Sequence, residues 1–168
     1  YMNNLKDDPT KLEPLMGKSY TISDDAKTID VTIRDGEKWS DGEPYTTEDV
    51  AYTFNLLNSN KALNTSGFAG SAKVLSDTEV RITLDKPESV NALSYLSGTM
   101  IVPKHVWEKI DDPVTYTNKD AVGSGPFTVK GGNFSPTAYT FKKNPYYWDE
   151  GKPEIDGVRY VLITGGTQ

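Results

Sequence analysis

The stretch Tyr20-Thr-Ile22-Ser-Asp24-Asp25-Ala-Lys27-Thr-Ile29-Asp-Val31-Thr-Ile33-Arg34-Asp35-Gly36-Glu-Lys-Trp39-Ser-Asp41-Gly42-Glu-Pro44-Tyr-Thr46-Thr-Glu48-Asp49-Val50-Ala-Tyr-Thr-Phe54 carries three local signals in succession. Ile29, Val31 and Ile33 alternate with polar residues, the period of a half-buried strand. With Tyr20 and Ile22 across the polar Asp24–Lys27 turn they predict a β-hairpin. Two Asp-Gly pairs, at 35–36 and 41–42, then turn the chain sharply on either side of Trp39. Thr46 follows as a helix cap with Asp49 three residues on, and Glu48 and Asp49 suit the positive end of the helix dipole. Val50, Phe54 and Leu57 recur at i, i+4 and i+7 as one apolar stripe, and Asn58-Ser59-Asn60 ends the helix.

Working outward, the pattern of hairpins broken by short helices continues. A polar loop, Leu63 to Gly70, leads to a second hairpin, Lys73–Leu75 and Val80–Leu84 around Ser76-Asp77-Thr78. Pro87 opens a helix carrying Val90, Leu93 and Leu96 and closed at Gly98. Met100-Ile101-Val102 reads as a short strand, and Pro103 starts a helix with Val106, Trp107 and Ile110. Asp111 to Val122 is a polar surface loop. Strands are expected at Phe127–Lys130 and Ala138–Lys142, with Gly131, Gly132 and Pro136 forming the turn between them. Asn144 to Trp148 is an aromatic corner, and Ile155 to Ile163 a last apolar strand. Upstream, the chain through Gly17, with Pro9 and Pro14, reads as an irregular lead-in. The predicted class is α+β: a mainly antiparallel sheet of hairpins with short helices packed on it.

Composition narrows the function. The 168 residues fit one ordinary domain, large enough to need no disulfide or metal staple. The net charge of −6, without any lysine–arginine cluster, argues against nucleic-acid binding, which needs a basic face to displace phosphate counterions. With no cysteine there is no disulfide, thiolate metal site or cysteine nucleophile. No apolar run is long enough for a membrane-spanning helix, and the start is not a signal peptide. The first and last residues suggest a piece cut from something longer.

Catalytic chemistry finds little support. His105 is the single histidine; base catalysis and metal binding both need partners it lacks in the sequence, so a helix-surface or capping role is expected. Gly123-Ser124-Gly125-Pro126 lacks the lysine of a phosphate loop and precedes a strand, so it reads as a tight turn. The doublets Asp7-Asp8, Asp24-Asp25 and Asp111-Asp112 do not follow calcium-loop spacing and suit turns. Asn64-Thr65-Ser66 fits a glycosylation acceptor, meaningful only in a secretory host. Tyr146, Tyr147 and Trp148 could stack on sugar rings as a free-standing carbohydrate-recognition module does, or pack within the corner. No catalytic residue, metal or cofactor is expected.

Four motifs in order carry a resemblance: residues 20–54; Val80-Arg-Ile82-Thr-Leu84-Asp-Lys-Pro87; Val122-Gly-Ser-Gly-Pro-Phe127; and Lys143-Asn-Pro-Tyr-Tyr-Trp148 with Gly151-Lys-Pro153 and the Ile155 strand. From about Leu12 onward the chain resembles family 5 extracellular solute-binding proteins, the oligopeptide-, dipeptide- and nickel-binding receptors of ABC importers. It departs from the family pattern at Glu37, Tyr45 and Ser124, none of which removes a charge or glycine the turns require. The resemblance implies the small inserted domain of a periplasmic-binding-protein-like fold. Residues 1–17 would be a lead-in from the first lobe, 18–155 the small accessory domain, and 156–168 a strand returning to the first lobe. It implies a non-catalytic protein, in the periplasm or lipid-anchored at the outer face of the cell membrane. Its partners would be the remaining lobes of its own full-length protein, an ABC transporter permease and a small solute. An oligopeptide or dipeptide is expected, although the family also carries oligosaccharides, opines and nickel complexes. In similar proteins the small domain approaches its solute at the loop after the first helix, here Leu63 to Gly70, and at the stretch before the proline-started helix, here Gly98 to Met100. That places Asn64, Phe68, Thr99 and Met100 at a pocket edge, with packing under the loop as the alternative for Phe68 and Met100.

Overall fold

Alternating side chains along one strand set up the first sheet. The computed structural model describes residues 1–3 and 11–163; Asp7-Asp8, Pro9 and residues 164–168 lie outside the described residues. Strands β1 (Met2–Asn3) and β2 (Leu12–Glu13) form a two-residue antiparallel ladder. Strands β3 (Gly17–Ile22) and β4 (Thr28–Ile33) are the expected hairpin. Helix α1 (Thr47–Ser59) leads to β5 (Gly70–Val74) and β6 (Glu79–Leu84), then to α2 (Ser89–Gly98) and α3 (Lys104–Trp107). The four-stranded sheet has the antiparallel order β3-β4-β6-β5. Tyr1–Gly36 and Tyr45–Tyr116 make up this unit.

Its core follows from register. Ile29 faces Ile82 and Val31 faces Val80 across β4 and β6, and all four are essentially buried, with Ile33 beside them. On the opposite face Asp30 and Arg81 are cross-strand partners joined by two hydrogen bonds of 2.7 Å from the guanidinium to the carboxylate. Both are over a third exposed, so solvent screens the pair and it adds little to stability. Helix α1 buries Val50, Ala51 and Phe54. It also covers an open sheet edge. The Asn55 amide donates to the Ala72 carbonyl and its oxygen accepts from the Ala72 N–H, both at 2.9 Å, while Asn58 accepts from Gly70. These bonds occupy backbone groups on β5 that an edge strand otherwise exposes.

Four expectations change here. The lead-in is not wholly irregular, because β1 and β2 pair and the Tyr1 ring meets Tyr20 edge-on at 5.3 Å. Strand β5 begins at Gly70, ahead of Lys73, where a side chain would overlap the Thr83 carbonyl. In α2 the buried stripe is Ala92, Tyr95 and Leu96, whereas Val90 is 85% exposed. Tyr95 sets that rotation. Its ring packs edge-on against Phe68 at 5.5 Å, and its hydroxyl donates to Glu88 at 2.7 Å. Finally, Met100-Ile101-Val102 is not a strand. The N–H of Val102 donates to the Thr53 hydroxyl at 3.0 Å, and that of Lys104 to Asp49 Oδ1 at 2.8 Å. Side chains of α1 hold this segment where a strand would need a neighbour's backbone.

The second unit gathers Glu37–Pro44 and the chain from Thr117 onward. Its antiparallel sheet has the order β7 (Phe127–Ser135), β8 (Ala138–Lys143), β9 (Gly157–Val161). The Gly131-Gly132 pair is not a turn but an irregularity inside β7. Gly131 has φ +74°, and a side chain at Gly132 would overlap the Thr140 carbonyl. A bulge demands the same permissive residues as a turn, which is why the two look alike in sequence. The reversal comes at Pro136-Thr137, bracketed by Ser135 and Ala138. The last strand is shorter than Ile155–Ile163, and Tyr160, Val161 and Leu162 are more than half exposed. The Trp39 turn closes through Trp39 N–H to Glu43 O (2.8 Å) and Gly42 N–H to Trp39 O (2.9 Å), with Gly42 at φ +98°. Ser40 ties it to Gly123 through two hydrogen bonds. Asn144, almost fully buried, donates to the Gly125 carbonyl at 2.8 Å and accepts from Tyr146 N–H at 3.0 Å.

Two outcomes are expected. Asp49→Ala should lower the unfolding free energy by about 2–3 kcal/mol in urea titration, because charge-assisted bonds at the helix start and at Lys104 vanish together. Acid should also weaken the fold. The Ser23 hydroxyl and Lys27 N–H hold the Asp25 carboxyl below its ordinary range, and Arg81 does so for Asp30. Asn91 and Tyr95 lower Glu88, and Thr115 and the Val114 N–H lower Asp112. Each carboxyl binds its proton more weakly folded than unfolded, so its contribution is complete above the unfolded value and is lost as pH falls through the folded one. Melting temperature should therefore drop on acidification below about pH 4.5, and less steeply in Asp30→Asn.

Candidate functional site

A hollow of the first unit is built by segments that are distant in sequence. Thr53, Leu56 and Leu57 of α1 form one wall, and Leu63, Thr65 and Ser66 of the following loop form the next. Gly98, Thr99, Met100 and Val102 run along a strap between α2 and α3, and Trp107 closes the side. Its volume is about 290 Å³. The lining contains no charged side chain.

Each wall has a local cause. Thr53 is buried and its hydroxyl works twice, donating to the Asp49 carbonyl at 2.8 Å and accepting from Val102 N–H. Asp49 holds Lys104 N–H one turn earlier, so the strap lies against the helix with Met100 pointing its bulk to solvent at 88% exposure. The Lys104 ammonium adds a 2.6 Å ion pair to Glu48, and its pKa rises accordingly. The loop is shaped by Asn64, whose amide donates to Phe68 O at 2.7 Å while its oxygen accepts from Phe68 N–H at 2.9 Å. Trp107 is braced edge-on by Tyr116 at 5.4 Å. The Thr99 hydroxyl is buried without a hydrogen-bond partner. Its backbone N–H is satisfied by Tyr95 O at 3.3 Å.

The four residues expected at a pocket edge divide two and two. Thr99 and Met100 line the cavity. Asn64 instead clamps its own loop, and Phe68 is buried at 2% exposure between Phe54 and Tyr95, with ring centroids 5.0 and 5.5 Å away. Leu63 opens the loop expected to approach a solute, whereas Leu57, Val102 and Trp107 lie outside both expected stretches. Leu57 carried a sequence signal: it ends the apolar stripe of α1, and it is only half-buried where Val50 and Phe54 are fully so. Nothing local marks Val102.

Other candidates have weaker geometry. His105 is half-buried on the four-residue α3 and outside the cavity. Among the described residues no three histidine, aspartate or glutamate side chains are placed to hold a metal ion, and no helix is long and apolar enough to cross a membrane. In the aromatic corner of the second unit, Lys38 sits 5.6 Å over the Tyr146 ring, and the Tyr147 and Trp148 rings are tilted by 54°. They offer no coplanar platform for a sugar.

The dipeptide-binding protein DppE of Bacillus subtilis is 26% identical over 97% of this chain, which spans 34% of its length. Among solved structures, the ABC transporter substrate-binding protein CtaP of Listeria monocytogenes superposes with a TM-score of 0.80 at 28% identity, over 90% of this chain and 32% of its own. A periplasmic oligopeptide-binding protein of Thermotoga maritima gives 0.78 at 26% identity, over 92% and 30%. The chain thus spans about a third of the length of these relatives. Residues 11–168 match the profile of the bacterial extracellular solute-binding proteins, family 5 Middle, and the chain belongs to that family.

Proposed function

We propose that this chain supplies part of the solute-binding wall of an extracytoplasmic receptor that captures peptides and delivers them to an ABC importer, without catalysis. One observation carries the reading: a chain of this family holds an open, uncharged cavity of about 290 Å³ walled by α1, its following loop and the 98–102 strap. Thr99 and Met100 are its solute-facing residues, and Asn64 and Phe68 hold the loop that forms its rim. Residues 18–155 act as the small accessory domain, with 1–17 and 156–168 as flanks of the first lobe. The remaining lobes of the full-length protein and the permease are its partners, and the protein works in the periplasm or lipid-anchored at the outer face of the cell membrane. One open surface grips a small molecule weakly; affinity comes when a second lobe closes over the solute and removes both from water.

A thermal-shift screen on the full-length protein tests this. Peptides should raise the melting temperature, with a stabilisation of about 2.7 kcal/mol at a hundredfold excess over Kd. Residues 1–168 alone should give a far smaller shift. Stabilisation by oligosaccharides or a nickel complex, with none by peptides, would overturn the proposal.

A further inference from the structure

Met100 is set apart from the other sulfurs of the chain by how it is held. The 168 residues include three methionines and no cysteine, so methionine sulfur is what a mild two-electron oxidant attacks first. Met16 is buried at 8% exposure and Met2 stands at 48%, whereas Met100 is 88% exposed. That exposure has a local cause. The Thr99 N–H donates to Tyr95 O at 3.3 Å, and the Val102 N–H donates to the Thr53 hydroxyl at 3.0 Å. The backbone is thus pinned on both sides of Met100, and the thioether is left to solvent at the edge of the cavity. Peroxide reaches this sulfur without any opening of the fold, and reaches Met16 only when the fold opens locally. The family is extracellular, beyond the thiol reductants of the cytoplasm.

From this placement we infer that Met100 is an oxidation site, converted to its sulfoxide by hydrogen peroxide, and that the change weakens solute capture. A sulfur lone pair attacks one peroxide oxygen, the O–O bond breaks as the S–O bond forms, and the departing hydroxide takes the remaining hydroxyl proton and leaves as water. Sulfur is oxidised by two electrons and peroxide is reduced; methionine sulfoxide reductase reverses the change. The sulfoxide is polar where the thioether was apolar. Around it the cavity lining carries no charged side chain and is mostly apolar, through Leu56, Leu57, Leu63, Val102 and Trp107. In the same lining the Thr53 and Ser66 hydroxyls already donate to Asp49 O and Asn64 Oδ1. A sulfoxide oxygen enclosed there with a solute loses hydration that those groups do not restore. The oxidation stands on the exposure of Met100; its consequence for binding rests on the reading above that Met100 faces the solute.

Two measurements on the full-length protein test this. After graded hydrogen peroxide, peptide mapping by mass spectrometry should show Met100 converted ahead of Met2, and about tenfold sooner than Met16. Calorimetric titration with trialanine, trileucine and trilysine then compares treated and untreated protein. A tripeptide that binds the untreated protein should bind the oxidised protein about fivefold or more weakly, and methionine sulfoxide reductase should restore the affinity. Met100→Leu, whatever its own affinity, should lose none of it on the same treatment. Met100→Gln, which carries a polar oxygen at the same reach, should bind like the oxidised protein. Oxidation of Met2 ahead of Met100 would overturn the site. A Met100 sulfoxide that binds as tightly as before, or a loss that Met100→Leu shares, would overturn the consequence while sparing the receptor reading. Failure of all three tripeptides to bind untreated protein would overturn the receptor reading and the consequence together, with the peptide map still deciding the site.

Discussion

One buried carboxylate organises the first unit. Asp49 accepts from the Thr46 N–H at 2.8 Å and the Thr46 hydroxyl at 3.2 Å, which closes the start of α1, and its other oxygen accepts from the N–H of Lys104, 55 residues further on. A carboxylate that is 3% exposed is tolerable only because these donors replace water. The same group therefore starts a helix and anchors the strap that faces it. Thr53, one turn along, repeats the arrangement with Val102. These two side chains help hold residues 99–103 against α1, where no strand neighbour is described. The cavity exists because of that spacing.

The loop opposite the strap has a comparable division of labour. Asn64 bonds both backbone groups of Phe68 and so imitates a strand partner, which lets the Phe68 ring turn inward to meet Phe54 and Tyr95. Edge-to-face pairs of this kind contribute about 0.5–1.5 kcal/mol each beyond the area they bury. With its anchor in the core, the loop can present Leu63, Thr65 and Ser66 to the cavity on a fixed frame. A binding wall gains from being in place beforehand, because it need not be ordered when a solute arrives.

The second unit shows a contrasting surface. Phe134, Tyr139, Phe141 and Tyr160 form a run of ring contacts across β7, β8 and β9, with centroids 5.7–5.9 Å apart. Phe134, Tyr139 and Tyr160 are about half exposed or more.

Much of this fold was legible in the residues themselves. The alternation Ile29-Val31-Ile33, the Thr46–Asp49 cap and the glycines at 36 and 42 are local instructions, and each produced the expected element. They depend only on strand and helix periodicity and on which residues tolerate positive φ. Family membership was legible for the same reason, since these instructions recur in a fixed order. Signals with two physical solutions misled: Gly131-Gly132 served a bulge instead of a turn, and Met100-Ile101-Val102 a strap instead of a strand. The cavity was half visible. Thr99 and Met100 could be named, but that Asn64 would turn to its own loop and Phe68 to the core, leaving Leu57, Val102 and Trp107 as walls, was decided by contacts such as Val102 to Thr53 and Lys104 to Asp49. Sequence specifies which backbone conformations a segment prefers; which side chains meet across 49 or 55 residues depends on how the finished elements pack.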